Sequence, residues 1–271
     1  MWITLGSSVI GASHVKRNIE NQDSIGLGEN IIAISDGHGS IGYTRSSQGA
    51  KFATNIIKEI YMEAPLTLHM KDLDIHIRHL KTRFLHLWQK AIEIDLEQYP
   101  LTEEEFRKIS AKSTFLTSFN LNNKVIYGCT FLCAIVYGDF ILLLNHGDGD
   151  VLACDESGIF DLTIHNEKNF ANATLSLASL KDASEISHKI IDEIPHLLIL
   201  FTDGVKNSYN DTDSETIAQF YKIPLAIKNS IVEEGKEKAI ERTTALLEKI
   251  TKEGSGDDVT IAILFNTKYV F

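Results

Sequence analysis

The order of hydrophobic patterns along the 271-residue chain predicts an α+β fold in which sheets are covered by helices. Two observations carry this. Apolar runs of strand length cluster in the first forty and the last hundred and fifty or so residues, and segments with a helical period separate them. Strands are expected at 2–5, 24–27 and 31–34, the last running into Ser35-Asp36-Gly37. Residues 43–62 follow with Ala50, Ala53, Ile56, Ile57 and Ile60 at helical spacing, and Pro65 closes the segment. Leu73, Ile77, Leu80, Phe84, Leu87, Ala91 and Ile94 then recur at spacings of four and three. That stripe predicts a long amphipathic helix against a core, with Trp88 as a packing residue; about three heptads are too few for a coiled coil. Thr102 and Glu105 form a capping-box pattern that opens a short helix after Pro100. Strand patterns return at 125–136, 140–145 and 151–155, with Tyr137-Gly138-Asp139 as a hairpin turn. A strand at 197–201 ends in Thr202-Asp203-Gly204, residues 231–250 regain helical spacing, and a last strand at 259–265 follows Gly256-Asp257-Asp258. No internal repeat of fixed period is present.

Composition predicts one domain spanning 1–271: 44% hydrophobic residues, 23% charged, 4 prolines and no linker-like stretch. The net charge of −11, without a lysine- or arginine-rich block, argues against nucleic acid and against an anionic membrane surface as partners. No signal-peptide pattern opens the chain, and the longest apolar runs are of strand length. Three cysteines, an odd count without a Cys-x-x-Cys pair, fit a reducing compartment, so a cytoplasmic location is expected. Cys129, Cys133 and Cys154 are read as core packing. Oligomeric state has no signature here.

The chemistry concentrates where apolar runs end. AISDGHGS (33–40), LLNHGDGDV (143–151) and LFTDGV (200–205) each finish in aspartate and glycine, and GSGDDVT (254–260) places acids at the start of a strand. One Asp-Gly is a turn. Four such sites at the ends of buried strands bring several carboxylates into one cleft, where they repel unless a cation neutralises them. Oxygen ligands without histidine–cysteine spacing favour Mg²⁺ or Mn²⁺ over zinc. Two such ions about 3.5–4 Å apart can share a water, lower its pKa and clamp a phosphoryl oxygen. Other devices fit worse. The Asp148 stretch lacks the EF-hand glycine and glutamate, having Ala153 and Ile159 there, and neither a P-loop nor a Gly-x-Ser-x-Gly elbow occurs.

At these residues the chain resembles the protein phosphatase 2C family of metal-dependent serine/threonine phosphatases. The match runs in order through ENQD (20–23), SDGHGS (35–40), GCTF (128–131), GDGD (147–150), TDGV (202–205) and GDDVT (256–260). The resemblance implies a central β-sandwich of two antiparallel sheets flanked by helix pairs, with the metal centre at one end. It implies hydrolysis of phosphoserine and phosphothreonine in proteins by a metal-bridging hydroxide, without a covalent intermediate. By position, Asp36 would bridge two Mg²⁺ or Mn²⁺ ions, the Gly37 carbonyl would bind one, and Asp203 and Asp257 would complete the other. Asp23 would hold metal-bound water, Asp148 with Asp203 would bind a third, weaker ion, and His38 would be the general acid. The chain departs from the family at Gly149, where a serine is usual, at Asp258, where an asparagine is common, and at Asn18, where the phosphate-binding arginine commonly stands. Arg17, one position away, is the candidate for that contact. Segment 156–195 corresponds to a substrate-selecting flap.

His14, His146 and the histidines within 69–86 are read as surface or packing residues. Arg45 and Lys51 are read as helix-surface charges, with phosphate contact the alternative. Two other functions compete: a catalytically silent scaffold that binds phosphoproteins, and a metal-dependent hydrolase of small phosphoesters. Retention of Asp36, Asp203 and Asp257 speaks against the first, and the ordered motif set against the second.

Overall fold

The computed structural model describes residues 1–63, 72–165, 175–209 and 212–269. In chain order its elements are β1 (Trp2–Val9), α1 (Ala12–Arg17), β2 (Ser24–Gly28), β3 (Ile31–Ser35), α2 (Ser46–Glu63), α3 (Leu73–Gln98), α4 (Glu103–Ser110) and α5 (Ser113–Leu121). Then come β4 (Phe131–Tyr137), β5 (Phe140–His146), β6 (Asp150–Cys154), β7 (Ile159–Asp161), β8 (Ser187–Ile191) and β9 (Leu197–Phe201). The chain finishes with α6 (Asp203–Lys206), α7 (Ser214–Glu234), α8 (Lys236–Glu253) and β10 (Val259–Asn266). One sheet has the order β1-β10-β9-β6-β7, the other β2-β3-β4-β5-β8. Every pairing is antiparallel.

Side-chain alternation makes these sheets a sandwich. Ile32, Ile34, Leu132, Ala134, Leu143, Val151, Leu198, Leu200, Ala262 and Leu264 form one cluster between them. Their strand neighbours face the other way. Ile31, Ala33, Cys133, Ile135 and Leu142 pack under α2 and α3, and Leu197, Ile199, Phe201, Ile261 and Ile263 pack under α7 and α8. Both faces of each central strand are therefore buried, which is why these runs read as continuously apolar. The result is four layers: helices, sheet, sheet, helices. The three cysteines are buried and unbonded, as core packing requires.

Most predicted elements occur, with three corrections. The strand expected over 125–136 begins only at Phe131, because 123–127 coil into a 3₁₀ turn capped by Asn122. Gly128 follows that turn, and a Cβ there would lie 2.6 Å from Tyr43 and 2.8 Å from His38, so the chain narrows to admit both rings. The helical spacing over 231–250 is two helices: Gly235, at φ 86°, separates α7 from α8. Most of α7 escapes the pattern, and Pro224 lies in its interior. In α3 the apolar face turns away from the predicted stripe. Ile94 is 42% exposed, while Leu85, Trp88 and Ile92 are buried. A straight helix at 3.6 residues per turn drifts out of a 3.5-residue repeat, so the packed face moves to the next residues.

The Thr102–Glu105 capping box opens α4 as predicted, and Gly138 turns the β4–β5 hairpin at φ 52°. Pro65, His69 and part of the 156–195 segment lie outside the described residues. The described part of that segment supplies edge strands β7 and β8, one to each sheet. Among the described residues, no helix is long and apolar enough to cross a membrane.

Candidate metal centre

Strand register carries the acidic motifs to one end of the sandwich. Ser24 lies opposite Ser35, Phe131 opposite His146, and Phe201 opposite both Asp150 and Ile261. Asp23 joins the two sheets there. It precedes β2 in one sheet, and its Oδ2 accepts hydrogen bonds from Thr202 Oγ1 (2.9 Å) and Thr260 Oγ1 (2.7 Å) of the other. Its Oδ1 is buried without a hydrogen-bond partner. A buried carboxylate oxygen left unpaired is costly, and a metal-held water would satisfy it.

Asp36 is fixed by its backbone: its N–H donates to Thr130 Oγ1 (2.9 Å) and its C=O accepts from Thr130 N–H (2.8 Å). Its carboxyl lies within interaction reach of that of Asp203, although 167 positions separate them. Burial pushes the Asp36 carboxyl well above the usual range, and the charges of Asp23, Asp203 and Asp257 add to the shift. Burial also raises Asp203; the interaction with Asp36 offsets part of this, and Asp148 and Asp257 add to the rise. Asp23 is raised by burial, against the Thr260 and Thr202 bonds. Without a cation, these carboxyls resist ionising together, because each negative charge raises the cost of the next. Divalent charge would remove the repulsion, so this donor set fits hard cations.

The glycines leave room for close backbone contact. A Cβ on Gly37 would meet Gln22 O at 2.6 Å, and one on Gly204 would meet Asp258 O at 2.2 Å. The departure at Gly149 has a similar cause: a Cβ there would lie 2.8 Å from the Phe201 carbonyl oxygen. The neighbouring Asp150 is not spare, since Lys206 Nζ pairs with its Oδ1 at 2.6 Å.

His38 follows Gly37, its ring held edge-on by Tyr43 at 4.8 Å between centroids. Burial, and then the charge of His146, lower its pKa to about 4, so the metal-free protein carries it neutral at neutral pH. Arg17 is not drawn toward the aspartates. It is exposed, and its guanidinium folds back onto Ser13, with Nε donating to the carbonyl at 3.2 Å. Asn18 caps α1 in the left-handed conformation at φ 55°, a position that suits asparagine far better than arginine.

Arg45 is not a free surface charge: it donates to Glu105 (2.7 Å), Asp95 (3.0 Å) and the Tyr127 hydroxyl (2.9 Å), tying the start of α2 to α3 and α4. Lys51 does lie at the surface, 3.9 Å from Glu20. His146 packs in the core, as expected. His14 is a packed residue rather than a surface one. It is 3% exposed and stands between Asp257 and Asp258, with which it forms a group of donor atoms within 4.8 Å of one another. The Thr202 and Thr260 hydroxyls, within TDGV and GDDVT, are the further side chains at this end that no motif role announces.

Four layers with acids gathered at one end define the class, an α-β-β-α sandwich with a carboxylate cluster. A family profile described as protein phosphatase 2C matches residues 10–233, and the chain belongs to that family. Comparison with curated proteins finds no match. Among solved structures, the chain is similar to a bacterial serine phosphatase at 17% identity and TM-score 0.61, covering 98% of each chain. It is similar to the serine/threonine phosphatase Stp1 from Staphylococcus aureus at 17% identity and TM-score 0.60, covering 98% of this chain and 95% of that one. The catalytic domain of the serine/threonine protein phosphatase PstP, in complex with 2 manganese ions, matches at 14% identity and TM-score 0.58, covering 97% of each.

Proposed function

We propose that the chain is a metal-dependent phosphoprotein phosphatase, acting on phosphoserine and phosphothreonine, with residues 1–271 as one catalytic unit. The observation that carries this reading is the convergence of the half-buried Asp36 and Asp203 carboxyls, with Asp23, Asp148 and Asp257 in electrostatic reach. Mg²⁺ or Mn²⁺ is the cofactor. Asp36, the Gly37 carbonyl, Asp203 and Asp257 would hold two ions, Asp148 with Asp203 would hold a third, and the unpartnered Asp23 Oδ1 would accept from water held there. Such ions supply a water of lowered pKa and positive charge for the phosphoryl oxygens.

The chain's own residues do the rest. Asp36 and Asp203 would meet the cations as carboxylates, their raised pKa values falling back as divalent charge offsets the repulsion. Thr202 and Thr260 hold Asp23 by its other oxygen, so the orphan oxygen keeps its aim. Tyr43 fixes the His38 ring, which gains its proton beside a phosphate dianion and returns it to the leaving serine or threonine oxygen. A thiol nucleophile is disfavoured, since burial pushes the Cys129 thiol up to about 12.

The test is phosphate release from a phosphoserine peptide. Activity should require added Mn²⁺ or Mg²⁺, vanish in EDTA and survive thiol alkylation. Full turnover in EDTA overturns the reading.

A further inference from the structure

We propose that His14 is a metal ligand of this centre, through Nε2 and beside Asp257, giving it one nitrogen donor and a preference for borderline cations over Mg²⁺. The inference rests on the reading that the aspartates hold divalent ions, and it revises the expectation of oxygen ligands alone.

The ring is too buried for a surface role. Its side chain is 4% exposed, and neither ring nitrogen makes a hydrogen bond among the described residues; Nδ1 is buried without a partner. An imidazole buried in this way is costly unless something completes it. Its neighbours say what. Nδ1 lies 3.0 Å from Asp258 Oδ1, near enough to be oriented by that carboxylate although off-line for a hydrogen bond. Asp258 itself is immobile: its two oxygens accept the Gly11 and Gln22 backbone N–H groups, each at 2.6 Å. Nε2 lies on the other side, 3.6 Å from Asp257 Oδ1. It faces the loop after Asp36, being 3.9 Å from where a Cβ on Gly39 would stand.

A small turn of the ring would bring Nδ1 into line with Asp258 Oδ1, the arrangement in which a carboxylate orients one imidazole nitrogen and the other meets a cation. Two donors bound at roughly 2.1 Å to one ion stand about 3–3.4 Å apart, so 3.6 Å needs only a slight inward shift. Asp257, 57% exposed at its side chain, leaves the ion an approach. A direct phosphate contact by Nε2 is the weaker alternative, because the Asp257 carboxylate beside it repels an anion. Imidazole suits Mn²⁺, Fe²⁺, Co²⁺ and Zn²⁺, whereas Mg²⁺ favours oxygen and gains little from it.

The test uses the full chain stripped of metal. In the Mn²⁺-loaded protein, electron spin-echo spectroscopy should show nitrogen modulation from a bound imidazole. It should be absent in His14→Gln and persist in His38→Ala. By calorimetry, His14→Gln should weaken Co²⁺ binding by ~10-fold or more while leaving Mg²⁺ affinity within about twofold. Absent modulation in wild type, modulation that survives His14→Gln, or equal loss for both ions overturns the proposal. If His14→Gln does not fold, the wild-type and His38→Ala spectra still decide it. Modulation without phosphopeptide turnover supports this site and sinks the phosphatase reading. Turnover with Mn²⁺ and no modulation does the reverse.

Discussion

Replacing Arg45 with methionine separates a structural cation from a substrate-binding one. The guanidinium is the only cation paired with Asp95 and Glu105 among the described residues, and the three side chains are 11%, 14% and 18% exposed. The Tyr127 hydroxyl bonds both Asp95 and Arg45, so the phenol cannot replace the lost charge. Charge-assisted bonds contribute about 1.5–3 kcal/mol each, and breaking one side of a buried pair costs about 3–5 kcal/mol. The three side chains keep some exposure, so the lower end applies, about 3 kcal/mol. Unfolding entropy of about 2.1 cal/mol/K per residue converts that to a fall of about 5 °C in Tm for a 271-residue chain. Calorimetry at neutral pH measures it, and phosphopeptide kinetics below the transition should show little change in KM. Glu105→Gln in the Arg45→Met background should recover part of the loss, because it removes a stranded charge. An unchanged Tm with a raised KM would refute the network argument and return Arg45 to phosphate binding.

Three further outcomes are expected. Asp36→Asn and Asp203→Asn should each abolish turnover while the metal-free Tm stays level or rises. The Mn²⁺-induced stabilisation, about 2.7 kcal/mol at a hundredfold excess over Kd, should shrink with them; wild-type turnover and an undiminished shift contradict a shared site. In EDTA, wild-type stability should fall as pH rises from the ordinary carboxylate range towards neutral. The folded carboxyls of Asp23, Asp36 and Asp203 lie above their unfolded values, so over that window the folded state binds more protons and loses stability as pH rises through the raised pKa values. Asp36→Asn should flatten the slope, and a melting temperature that rises across the window would reverse the sign. His38→Ala should depress phosphoserine peptide turnover more than that of p-nitrophenyl phosphate, whose leaving group needs little protonation. Equal losses would leave His38 an orienting role only.

What could be read in the sequence was whatever a short pattern encodes. Asp36, Asp203 and Asp257 each adjoin a central strand whose apolar run is unmistakable, so their positions at strand ends were visible. The α4 boundary was visible because Thr102 and Glu105 satisfy each other within one turn. The sandwich was not visible from periodicity. Burial on both faces erases the alternation that would say which side of a strand meets which layer, and only the ordered motifs supplied it. Contacts between distant positions were also hidden. Nothing near Arg45 announces Glu105 and Asp95, and nothing near His14 announces that Asp258 will clamp Gly11 and Gln22 around it. Local exceptions account for the rest: Pro224 inside α7, Gly235 between two helices, and the drift of α3 from its predicted stripe.

The central claim is that carboxylates from separate strand ends form one metal centre, and a crystal of the Mn²⁺-loaded protein tests it most directly. Anomalous scattering should show two Mn²⁺ ions about 3.5–4 Å apart, bridged by Asp36, with Asp203 and Asp257 oxygens at about 2.0–2.3 Å. Manganese bound elsewhere, or an empty cleft at saturating Mn²⁺, would contradict it.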